Sequence, residues 1–146
     1  MKSRIVSILA VSLVTATVAF AAEPQEQRQS VMKEMGGAIG SLVKMAKGEV
    51  EYDAAAAKEA FAKIHEDASK VGDYFPEGSE TGHDTHASPK IWENKEDFNE
   101  HLSRLQEASN EAAQNVSDDA DEFRKHLGKV GKECGSCHET YRTKMD

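Results

Sequence analysis

Apolar residues recur three or four positions apart through most of this chain, the spacing that gathers side chains on one face of a helix. Over residues 24–47 the series Val31, Met32, Met35, Ile39, Leu42, Val43 and Ala46 predicts a first helix, with Gly48 as its C-terminal stop. Asp53 is the expected cap of a second helix, whose stripe runs Ala57, Ala60, Phe61, Ile64, Ala68 and Val71 until Gly72 ends it. Ser88-Pro89 reads as a cap followed by a first-turn proline. It predicts one continuous third helix through Ile91, Phe98, Leu102, Leu105, Ala108, Ala112 and Val116. Ser117 restarts the chain, Asp118, Asp119 and Asp121 suit the positive end of a helix dipole, and Phe123, Leu127, Val130, Cys134, His138 and Tyr141 carry the last inward stripe.

No segment alternates with a period of two, so the predicted fold class is all-α: an antiparallel four-helix bundle without a sheet. Residues 73–87 carry glycine, proline and polar side chains and read as a long surface connection.

The N-terminus departs from this pattern. Lys2 and Arg4 precede a mainly apolar run over residues 5–18, followed by Ala19-Phe20-Ala21, the layout of a secretory signal peptide over residues 1–21. The run is shorter than the roughly 20 apolar residues of a spanning helix, so no membrane segment is expected after cleavage. Removing 21 of 146 residues leaves 125, residues 22–146, enough for one domain with its own core. The expected compartment is the periplasm. Without Lys2 and Arg4 the basic count falls from 18 to 16 against 26 acids, a net charge of −10 that argues against nucleic acid as a partner.

Candidate chemistry is concentrated in one place. The only two cysteines lie in Cys134-Gly135-Ser136-Cys137-His138. In an exported chain such a pair fits a disulfide, a redox dithiol or a haem attachment site, and the histidine directly after the second cysteine selects the last. Two sulfurs one helical turn apart suit two thioethers, and the adjacent imidazole suits an axial iron bond. Zinc would need a further pair of ligands, and a redox dithiol belongs near a helix start. The predicted cofactor is one covalent haem c, with its iron, per chain.

The chain resembles the cytochrome c' family, the class II c-type cytochromes. The resemblance rests on the C-terminal motif extended through Glu139-Thr140-Tyr141-Arg142, on Gly131-Lys132, on Ser88-Pro89-Lys90-Ile91-Trp92 and on Arg28-Gln29-Ser30-Val31-Met32. It spans essentially the whole mature chain and implies a haem within the bundle, His138 on the proximal side and Arg142 beside that face. It also implies that Met32, four positions after Arg28, lies over the distal face. Arg28 is expected to pair with a haem propionate.

Met32 separates two functional readings. The first is a periplasmic electron carrier whose iron is held by His138 and Met32 and which meets an unidentified periplasmic redox partner. The alternative is a five-coordinate protein that binds a small gas, nitric oxide or carbon monoxide. No distal acid–base residue is offered, so no enzyme activity is expected. Gly36, Gly37 and Gly40 each cost about 1 kcal/mol of helix stability relative to alanine, which predicts close approach by another helix or by the haem. The resemblance adds homodimerisation through that face. Trp92 and Phe98 are expected in the haem-side core and Tyr141 near the ring edge, while His65, His83, His86, His101 and His126 read as surface histidines.

Overall fold

The computed structural model describes residues 23–143, so the expected signal peptide lies outside the described residues. In chain order the elements are α1 (Pro24–Lys47), α2 (Ala54–Val71), a 3-10 turn (Gly72–Tyr74), the single-turn α3 (Lys90–Glu93), α4 (Lys95–Asn115) and α5 (Ala120–Tyr141). The four long helices form an antiparallel bundle. Side chains crossing between neighbours set its direction: Lys63 of α2 lies 2.6 Å from Glu34 of α1, Gln106 of α4 donates to the Ala68 carbonyl of α2 at 3.1 Å, and Lys129 of α5 lies 2.7 Å from Glu111 of α4. Among the described residues the only strand-like pairing is an isolated bridge between Ala87 and Arg142. No described helix is long and apolar enough to cross a membrane.

The apolar stripes meet in two clusters. The bundle centre is built on Met35, Leu42, Phe61, Ile64, Phe123 and Val130. A second cluster at one end gathers Val31, Val71, Phe75, Ile91, Phe98, Leu102 and Tyr141. Phe61, Phe98 and Phe123 are almost wholly buried, each contributing about 1.5–3 kcal/mol over an exposed ring. Met32 packs against both clusters.

The first two helices begin and end where the pattern predicts. Gly48 adopts φ 72° and directs backbone N–H groups to the Lys44 and Met45 carbonyls, a left-handed cap that glycine forms without steric cost. Asp53 accepts from the Ala56 N–H at 3.0 Å. Gly72 has another role than a left-handed stop. Its φ is −58°, and a Cβ there would sit 3.3 Å from the Leu102 side chain, so the small residue leaves room for α4.

Three expectations need correction. The third helix is interrupted at Asn94, whose φ of −137° and ψ of 65° separate α3 from α4 while its side chain accepts from the Asp97 N–H. Asparagine offers the backbone this local alternative to a helical bond, and the break is invisible to periodicity because Ile91 and Phe98 remain buried on either side of it. At the last helix Asp119, not Ser117, is the cap, accepting from the Asp121 and Glu122 N–H groups at 2.8 and 3.2 Å. The long connection is only partly a surface segment: Phe75 and Ser79 are buried in it.

Candidate functional site

A cavity of about 420 Å³ opens at the end of the bundle between α1 and α5. Its α1 wall carries Arg28, Met32, Lys33 and Gly36, its α5 wall carries Cys137, His138 and Tyr141, and Arg142 follows. Phe75, Ile91 and Phe98 add an apolar lining, and Thr85, His86 and Ala87 close one side. Arg28, Met32, Cys137, His138 and Arg142 therefore share one cavity. Cys134, one turn earlier, packs half-buried against the bundle centre, while Cys137 packs against the end cluster.

No disulfide joins the two cysteines. Burial pushes the Cys134 thiol up, and burial with help from Cys134 and Asp97 pushes Cys137 up to about 11, against an opposing effect of Arg104. Both groups stay protonated near neutral pH. That disfavours a dithiol redox pair, which attacks as a thiolate. His138 lies on the cavity wall, where partial desolvation and then the Arg142 charge lower its pKa, which favours the neutral imidazole with a lone pair to share. Among the described residues no group of three or more His, Cys, Asp or Glu side chains is placed to hold a metal ion.

Arg28 is built into the cavity wall by contacts within this chain. It is 3 % exposed. Its Nη1 donates to the Tyr74 carbonyl at 3.1 Å and the Ser79 hydroxyl at 3.0 Å, and its Nη2 donates to the Ser79 carbonyl at 2.5 Å and the Thr85 hydroxyl at 3.2 Å. The guanidinium also lies 4.9 Å from the Phe75 ring centre and 5.5 Å from that of Trp92. Desolvation lowers its pKa. Arg28 thus holds the long connection in place as a wall of the cavity. Its Nε is buried and has no protein partner, a donor left over for an anionic group.

Gln25 and Gln29 support the same wall by donating to the Thr81 and His83 carbonyls at 2.8 and 2.7 Å. At its far edge the wall is joined to the end of α5, with Ser88 N–H on the Tyr141 carbonyl and Thr143 N–H on the His86 carbonyl, both at 2.9 Å.

The other predicted residues divide. Phe98 and Tyr141 line the cavity as expected, and Trp92 packs half-buried beside them with its indole N–H on the Pro76 carbonyl at 2.9 Å. His126 is buried rather than on the surface, His101 is 11 % exposed against the Tyr141 ring, and His65 contacts the Gln106 carbonyl at 3.0 Å. His86, also read as a surface residue, is exposed but lines the cavity. Gly36, Gly37 and Gly40 have no neighbour within 4 Å of a notional Cβ, so no other described helix approaches them closely.

A protonated thiol pair one helical turn apart, a neutral imidazole beside it, an apolar lining and an unpaired buried guanidinium donor fit a flat apolar macrocycle that carries carboxylates. A cavity of this volume falls in the range of cofactor sites.

Comparison with known proteins leads to the same group. The family model for cytochrome c' matches residues 23–142. Cytochrome c-556 from Agrobacterium fabrum is 39% identical over 125 residues, 86% of this chain and 84% of that protein. The solved cytochrome c' from Rhodopseudomonas palustris superposes with a TM-score of 0.83 at 34% identity, covering 86% of this chain and 100% of that one. A variant of cytochrome c prime from Alcaligenes xylosoxidans, solved as its nitric oxide complex, is 28% identical with a TM-score of 0.75, covering 86% and 100% of the two chains.

Proposed function

The chain belongs to the cytochrome c' family, and from that membership we propose that it binds a small neutral gas, nitric oxide or carbon monoxide, on the Met32 side of a haem anchored through Cys134, Cys137 and His138. The family sets the broader frame: a periplasmic protein with one covalent haem c, acting in electron transfer or gas binding and not as an enzyme. When bound, the haem supplies an iron centre that exchanges single electrons and accepts a further ligand.

The residues divide the remaining work. Cys134 and Cys137 would hold the haem through thioether links to its vinyl groups, tying it to α5. His138 would supply an imidazole ligand to the iron, and the neighbouring Arg142 charge favours its neutral form. Arg28 would offer its spare Nε–H to a propionate while its terminal nitrogens keep hold of the connection.

Met32 carries the choice of function. Its half-buried side chain is packed against both hydrophobic clusters on the wall opposite His138, where it fills space and screens the distal side from water and larger molecules. The nitric oxide complex of the Alcaligenes xylosoxidans relative supports the same reading. One observation favours the electron-carrier reading: Met32 lines the same cavity as His138, and methionine's three rotatable bonds let it adapt.

Nitric oxide titration of the anaerobic ferrous holoprotein tests the proposal. The visible spectrum is expected to change until one equivalent per haem has been taken up. A spectrum unmoved by a large excess of gas rejects it. The electron-carrier reading adds exchange of electrons with an unidentified periplasmic partner. The α1 face at Gly37 and Gly40, open in the single chain, is the proposed contact for a second copy.

A further inference from the structure

Tyr141 and Asp97 form a contact that haem attachment does not require. Tyr141 is 4 % exposed, lines the cavity, and stacks edge-on against Phe98 and His101 at 5.3 and 5.6 Å. Its hydroxyl donates to Asp97 Oδ2. Asp97 lies in the first turn of α4, directly after the break at Asn94, and its side chain is 42 % exposed. A second group, His101, brings Nε2 to 3.7 Å from the same carboxylate oxygen. Asp97 is therefore fixed at the seam between α4 and the haem-bearing end of α5.

We propose that Asp97, oriented by the Tyr141 hydroxyl, is a positioning residue that tunes the haem reduction potential by holding a fixed negative charge at the Cys137 edge of the site. Oxidised haem carries one more positive charge than reduced haem, so a nearby anion stabilises the oxidised form and lowers the potential. Tyr141, whose hydroxyl holds Asp97, packs in the same cluster as Cys137 and lines the same cavity, so the carboxylate stands one side chain behind the wall that carries the attachment sulfur. The cation Arg104 is itself shared between Glu100 at 3.6 Å and Glu133 at 3.4 Å. The Tyr141 hydroxyl, pushed up to about 12 by burial and by Asp97, remains a donor at any pH at which the protein works.

The inference rests on haem attachment at Cys134 and Cys137 and is independent of whether Met32 ligates. Midpoint potentials of the holoprotein test it, with haem content read on the same samples. Asp97→Asn keeps an acceptor for Tyr141 and removes the charge; it is expected to favour reduction on the order of threefold, as suits a partly solvated charge. At 59 mV per decade for a one-electron couple that is an upward shift of about 28 mV.

Tyr141→Phe is expected to lower the potential, because the carboxylate loses the proton that spreads its charge, and to have no such effect in the Asp97→Asn background. Glu107→Gln, farther along α4, serves as the control and is expected to leave the potential in place. An unmoved potential in haem-loaded Asp97→Asn overturns the tuning role. Equal shifts from Tyr141→Phe in both backgrounds overturn the link between the two residues, and a wild-type chain without haem overturns both the attachment and the tuning.

Discussion

The double variant Cys134→Ser/Cys137→Ser is expected to lose covalent haem completely. A serine hydroxyl does not form the thioether, and no other cysteine occurs in the chain to replace either sulfur. The two thiols contribute unequally to the pocket: Cys137 lines it, whereas Cys134 packs against the bundle centre a turn away. Either single variant should therefore keep one link, and only the double variant should release haem into acidified acetone. Intact mass before and after extraction reads the result directly. Haem that stays with the double variant would show that the attachment lies elsewhere.

Arg28→Met should be the most damaging single substitution away from the haem motif. It leaves the Tyr74 and Ser79 carbonyls without the donor they have at 3.1 and 2.5 Å, and it removes a cation from the faces of Phe75 and Trp92. An unsatisfied buried polar group costs about 1–3 kcal/mol, so the two carbonyls together suggest a loss of about 3 kcal/mol. Methionine fills most of the arginine stem, which keeps cavity formation out of the comparison. Thr85→Val removes one peripheral acceptor and should cost about 1 kcal/mol or less. Urea denaturation of the holoprotein measures both. A loss below about 1 kcal/mol for Arg28→Met would mean that the wall is held by something other than this guanidinium.

These two experiments concern residues of very different legibility. The proposed attachment set of Cys134, Cys137 and His138 is readable from spacing alone, because haem attachment would demand those residue types in that order. The α1 and α2 boundaries are equally direct, since Gly48 and Asp53 act through bonds to residues three or four positions away. Arg28 is different. Its partners stand 46 to 57 positions along the chain, in a connection without periodicity, and a buried arginine is indistinguishable in sequence from one on a helix surface.

The same limit hid His86 on the cavity wall and His101 behind Tyr141, since both depend on how α3, α4 and the connection meet α5. Asn94 carried a usable signal, an asparagine three residues before Asp97 at a capping distance. The continuing apolar stripe outweighed it.

Met32 shows a further limit. Both its sequence position and its place on the cavity wall suit a ligand and a packed screen alike, and only the state of the iron separates them. Absorption and electron paramagnetic resonance spectra of the ferric holoprotein, taken for the wild-type chain and for Met32→Ala, address that state most directly. The gas-binding account predicts high-spin iron in both, with nitric oxide binding faster in Met32→Ala because the screen is gone. A low-spin wild-type spectrum that becomes high-spin in Met32→Ala would contradict it and assign the sixth position to the thioether.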